Sequence, residues 1–152
     1  MNENNKVKTI IIDKSYPLSI EMRPLWRICL IVISLAVISG DKRYLDVKKV
    51  NILVWMLIRR SRWDEYEEFL NSRTKDIPLV SVDTAMYKAV EFAIAKEFVT
   101  LDAGRIHMTK NADDLYALLV ENGIMGAEIA YLTKNGRKLT DRKVKELTGG
   151  LL

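Results

Sequence analysis

DTAMYKAVEFAIAKEFVTLDAGRIHMTKNADDLYALLV, residues 83–120, is where the architecture of this chain can be read most directly. Asp83 to Phe98 predicts a helix. Ala85, Ala89, Phe92, Ala93 and Lys96 fall on neighbouring turns, and Met86, Val90, Ile94 and Phe98 form a second apolar stripe, so both stripes are expected to pack. Val99-Thr100-Leu101, Asp102-Ala103-Gly104 and Arg105-Ile106-His107-Met108 then predict a strand, a three-residue turn and a strand. Val99, Leu101, Ile106 and Met108 alternate with polar residues, so one face of this hairpin should pack and the other meet water. Gly104 supplies the positive φ that such a turn needs. Asn111 to Val120 predicts a further helix, capped by Thr109 or Asn111, with Leu115, Tyr116, Leu118 and Leu119 directed inward. Helix, wing, helix is the order of a winged-helix domain, a module that binds nucleic acid or protein and rarely does chemistry. The fold class expected is mainly α with a small β-hairpin, a winged-helix-like helical domain.

The rest of the chain extends this reading on both sides. Val7 to Ile12 is β-branched and predicts a strand, so residues 1–22 are taken as an N-terminal strand and extension and residues 23–150 as the winged-helix-like domain. Pro24 suits the first turn of a helix running to Ser39, with Gly40 as its stop. Ile28 to Ile38 carries no charge, but about 20 apolar residues are needed to span a bilayer. It therefore predicts a helix buried on most sides rather than a membrane segment. Asp46 is placed to cap a helix from Val47 to Arg59, whose Val47, Val50, Val54, Leu57 and Ile58 recur at three and four. A short helix, Trp63 to Leu70, is acidic on one side. Arg73 to Ser81 reads as a loop with a short strand at Leu79-Val80. Met125 to Lys134 predicts a helix stopped by a left-handed cap at Asn135-Gly136, and Thr140 caps a last helix, Asp141 to Leu147, ended by Gly149-Gly150.

Composition bounds the function. The 152 residues are 49% apolar and 29% charged, with a net charge of +4. That supports one core and permits, without demanding, an acidic partner. Cys29 is the only cysteine, so no disulfide framework forms within the chain, and a reducing cytoplasm is expected. A catalytic inventory is missing from the sequence. His107 is the only histidine and has no Cys or carboxylate at ligand spacing, whereas a metal site needs at least three ligands in a set. No Gly-rich phosphate loop or Walker lysine occurs, and Gly123-Ile124-Met125-Gly126 reads as a joint between helices. Asp64, Glu65, Glu67 and Glu68 read as a solvated face. Neither a cofactor nor an enzymatic activity is expected.

Basic residues are the stronger signal. Lys134, Arg137, Lys138, Arg142, Lys143 and Lys145 are dense near the C-terminus, and Arg59, Arg60 and Arg62 form a second set beside Trp63. Either set is able to neutralise phosphates, and both are candidate nucleic-acid contacts. Trp55 and Trp63 are candidate partner contacts, because tryptophan is enriched at binding hot spots. The helix before the wing argues against base reading. Thr84, Tyr87, Lys88 and Lys96 are offset by Asp83, Glu91 and Glu97, and the link from Leu70 to Asp83 is too long for a helix-turn-helix.

Three stretches carry a family resemblance: RPLWRICLIVISLAVISG (23–40), LDVKKVNILVWMLIRRSRWDEYEEFL (45–70) and LTKNGRKLTDRKVKELTGG (132–150). Their order resembles the small middle components of bacterial ABC-type three-component systems, in which an SMC- or RecN-like ATPase acts with a middle protein and an effector, as in Lamassu-like antiphage defence. The resemblance implies a winged-helix-like, non-enzymatic adaptor that docks on the ATPase, with no catalytic residues to transfer. The partners it implies are that ATPase and the effector protein. DNA and self-association are further candidates, and no membrane is expected. The alternative is a winged-helix DNA-binding regulator acting through Arg137, Lys138, Arg142 and Lys143.

Overall fold

The computed structural model describes residues 23–149; the strand expected at Val7–Ile12 lies outside them. At its centre is helix α1 (Pro24–Ile38), begun by Pro24 at its first position. Residues 28–33 and 35 are all at most 3% exposed, so this helix is buried nearly all round, as its composition demands. Its 15 residues span only about 22 Å at 1.5 Å per residue. Among the described residues no single helix is long and apolar enough to cross a membrane.

The remaining elements pack around α1. They are a strand β1 (Tyr44–Asp46), helices α2 (Val47–Ile58), α3 (Trp63–Leu70) and α4 (Thr84–Ala95), strands β2 (Val99–Asp102) and β3 (Arg105–Met108), and helices α5 (Lys110–Glu121), α6 (Gly126–Asn135) and α7 (Asp141–Thr148). Helices α2, α4, α5 and α6 and strands β1 and β3 all lie against α1. The three strands form one antiparallel sheet in the order β1-β3-β2, with Leu45 opposite Ile106 and Leu101 opposite Ile106 on its other side. A mainly helical chain carrying a small antiparallel sheet with a hairpin wing is compatible with the winged-helix-like class read from the sequence.

Local chemistry explains where the elements differ from expectation. The wing turn has two residues, not three. Asp102 pairs with Arg105, and Ala103 and Gly104 both take positive φ, 52° and 76°, the combination that matches the twist of a two-residue hairpin. Helix α4 stops at Ala95 rather than Phe98. The Phe98 N–H reaches back to the Ala93 carbonyl at 2.9 Å and Glu97 takes φ 62°, a Schellman closure made without glycine. Asp46 precedes α2 but makes no capping bond. Its carboxylate instead lies 3.8 Å from Arg105 across the sheet. Gly136 is right-handed, φ −60°, so it is not the left-handed stop expected. What it needs is room: a Cβ there would meet the Ile38 side chain, with Cγ1 at 3.1 Å. Residues 71–83 contain no strand, so Leu79-Val80 is irregular.

Cys29 is fully buried, and loss of hydration pushes its thiol up to about 12 from 9.0. The sign follows from linkage. The unfolded thiol ionises from about pH 9 while the folded one stays protonated, so stability is intact below pH 9 and falls as pH rises toward 12. Burial pushes the phenols of Tyr66 and Tyr131 upward as well, which acts in the same direction above about pH 10. Urea unfolding is expected to show about 2 kcal/mol lost to the thiol between pH 8 and 11. Cys29→Ala should flatten that slope; an unaltered slope would show that the thiol is not its source.

Candidate functional site

The helix that leads into the wing is set by one acidic residue. Asp83 caps α4, its Oδ1 accepting the Met86 N–H at 2.9 Å. The same carboxylate accepts from both terminal nitrogens of Arg27, each at 3.1 Å. Arg27 lies on α1 with its side chain 6% exposed, so the central helix holds the start of α4 directly. Inward, α4 presents Met86, Ala89 and Ala93, all buried. The two alanines let its backbone approach α1 closely.

This close approach leaves the opposite side of α4 uncovered. Thr84, Tyr87, Lys88, Glu91, Phe92, Ile94 and Ala95 are exposed and share one contiguous arc at 100° per residue. Tyr87 is 60%, Phe92 47% and Ile94 38% exposed. Phe92 and Ile94, expected to pack, therefore face outward, because Met86, Ala89 and Ala93 already fill the seam. Strand β2 packs against α4, and its Leu101 is half-exposed at the wing; it too was expected to be covered. Lys88 and Glu91 cancel on this face, as do Lys96 and Glu97 beyond it. The result is an apolar, aromatic surface without net charge.

The residues singled out from composition sit elsewhere, and most are engaged. Lys134 pairs with Glu67 at 2.7 Å, and the hydrogen bond it donates holds the Glu67 carboxyl below its usual range. Arg137 donates to the Val37 carbonyl at 2.9 Å, and Lys138 donates to Asn71 Oδ1. Lys143 donates to the Phe69 carbonyl at 3.0 Å and to Ser72 Oγ at 2.9 Å. Arg142 lies 3.5 Å from Glu146, and Lys145 is exposed. These contacts fasten the C-terminal segment to α1 and α3. Arg59, Arg60 and Arg62 are likewise occupied: the Arg59 guanidinium stacks 3.2 Å from the Trp55 ring centre, Arg60 pairs with Glu128 at 2.6 Å, and Arg62 with Glu65 at 3.2 Å. Desolvation against its neighbours lowers the Arg59 pKa.

The two tryptophans belong to the same internal seam. Trp63 stacks on Tyr131 with ring centres 4.5 Å apart and donates its indole N–H to the Met56 carbonyl at 2.8 Å. Trp55 is half-buried beneath Arg59. Trp63 thus ties α3 to α2 and α6, and Trp55 has one ring face covered by Arg59, so each ring is partly used within the chain. His107 is half-buried on β3 and packs on Tyr44, ring centres 5.0 Å apart. Among the described residues no three His, Cys, Asp or Glu side chains converge as a metal-ligand set. Glu65 and Glu67 pair with cations, and Asp64 and Glu68 face solvent.

Sequence reasoning missed the outer face of α4. The signal was there in Tyr87 and Phe92, which lie off the alanine stripe. It was masked because Phe92 and Ile94 also satisfy helical core spacing. No family model, curated protein or solved structure matches the chain.

Proposed function

We propose that this chain is a non-enzymatic, cytoplasmic adaptor that docks through the outer face of α4 and the wing onto an SMC- or RecN-like ATPase of the antiphage-defence type its sequence resembles. One observation carries the reading. Where a DNA-reading winged helix places cations and amides toward the groove, this chain places Tyr87, Phe92, Ile94 and Leu101 in contact with water. Aromatic side chains with little charge are what the centre of a protein interface uses. Phosphates have no net attraction to such a face. The DNA-regulator reading is weaker, because the exposed arc of α4 sets Lys88 against Glu91 and offers no net positive charge toward a groove.

Co-expression with an SMC- or RecN-like ATPase encoded beside it tests the proposal. The two are expected to co-elute through size exclusion, and the chain alone to be less soluble than in the complex. A chain that remains monodisperse alone and never co-elutes with that ATPase would remove the adaptor reading.

A further inference from the structure

A cleft of about 850 Å³ opens between residues 72–77 and α7, away from the residues of the docking face. Its volume falls within the roughly 300–1,000 Å³ of small-molecule sites. Its lining is rich in donors and poor in acceptors. Ser72 Oγ accepts from Lys143 Nζ, Thr74 Oγ1 accepts from the Asp76 N–H, and Thr140 Oγ1 accepts from the Lys143 N–H. Each hydroxyl is thus used as an acceptor, which leaves its O–H to donate.

Three cations share the cleft. The Lys143 ammonium has three N–H bonds. Two go to neutral oxygens, of Phe69 and Ser72, so its charge is not cancelled by them. Lys75 makes no ion pair among the described residues. Arg142 is 89% exposed and only loosely held by Glu146 at 3.5 Å, and Glu146 is the one carboxylate in the lining. Ser72 also adopts φ 56° just past α3, a position that favours glycine; the side chain kept there is the hydroxyl that Lys143 binds.

A ligand that satisfies this lining must bring many acceptors and negative charge. It must also cover apolar surface, because Ile77 is 56% exposed at the cleft; Phe69 lies beneath, 3% exposed, under the Lys143 ammonium at 4.8 Å. We infer that the cleft between residues 72–77 and α7 binds a nucleoside phosphate. Its phosphates would lie among Lys75, Arg142, Lys143 and the three hydroxyls, with the base against Ile77.

Isothermal titration of the full chain with ADP, adenosine and inorganic pyrophosphate, at low salt, tests this. ADP is expected to saturate with a dissociation constant of about 0.1–1 mM, and adenosine and pyrophosphate to bind at least about tenfold more weakly. Lys75→Ala/Arg142→Ala should weaken ADP by at least about tenfold without moving the thermal midpoint, since neither side chain holds the scaffold. Lys75→Arg/Arg142→Lys should retain binding. Phe92→Glu, which alters the docking face alone, should leave ADP affinity unchanged, so the two proposals fail separately. Absence of saturable ADP binding, ADP affinity indifferent to the double alanine variant, or pyrophosphate binding as tightly as ADP would each overturn the inference.

Discussion

Asp83→Ala is expected to lower the unfolding free energy by about 2–3 kcal/mol, a sizeable share of the stability of a domain this size. Two losses combine. The α4 cap disappears, because Oδ1 no longer accepts the Met86 N–H; lost caps cost about 1 kcal/mol. Arg27 then keeps its charge, since a guanidinium does not deprotonate, while losing the carboxylate that receives both of its terminal nitrogens. Its side chain is 6% exposed and that of Asp83 37%, so water already screens part of the pair. Removing one member of such a part-buried pair costs about 1–2 kcal/mol, less than for a pair closed off from water on both sides. Asp83→Asn keeps the cap oxygen and drops the charge, so it should cost about half as much. Urea unfolding of both variants measures this. A loss under about 1 kcal/mol for Asp83→Ala would show that α4 is held by its alanine seam alone.

Phe92→Glu should do the reverse: leave folding intact and abolish docking. Phe92 is 47% exposed, and glutamate is a good helix former, so unfolding free energy is expected to move by no more than about 0.5 kcal/mol. In the proposed adaptor complex the same change would put a carboxylate at the middle of an apolar contact. Truncating an aromatic anchor costs about 2 kcal/mol or more, which is at least a thirtyfold loss of affinity, and a desolvated charge adds to it. Titration of the ATPase with wild-type and variant chains reads the difference. Equal affinities would move the interface off this face. Trp63→Phe offers a contrast: it removes the hydrogen bond to Met56, so its effect belongs to stability.

What the sequence made legible was whatever local periodicity and caps encode. The central helix, the helix from Val47, the capping threonines at 109 and 140 and the wing all follow from patterns within a few residues. β1 could not be read this way. Tyr44-Leu45-Asp46 is too short to show alternation, and it is a strand only because Arg105–His107, some sixty residues on, supply its partners. The end of α4 was hidden for a related reason: Glu97 adopts a backbone angle usually signalled by glycine. At the level of the site, residue type misled where solvent access decided. Tryptophan and clustered cations suggested contact surfaces, yet Arg59 covers a face of Trp55 and Arg60 lies 5.5 Å over Trp63. Phe92 and Ile94 looked like packing because helical spacing alone does not say how closely Ala89 and Ala93 draw the helix in.

The wrapping of α1 bears on how the protein is made. This helix is synthesised well before its covers on α4, α5 and α6, and Arg137, which fastens onto Val37, lies 100 positions downstream. At about 5–20 residues per second, the greasiest segment of the chain waits roughly 5–20 s for its last neighbours. During that interval its apolar surface is open to aggregation or to a chaperone that holds unfolded chains. Synthesis slowed after residue 40 should therefore raise the aggregated fraction.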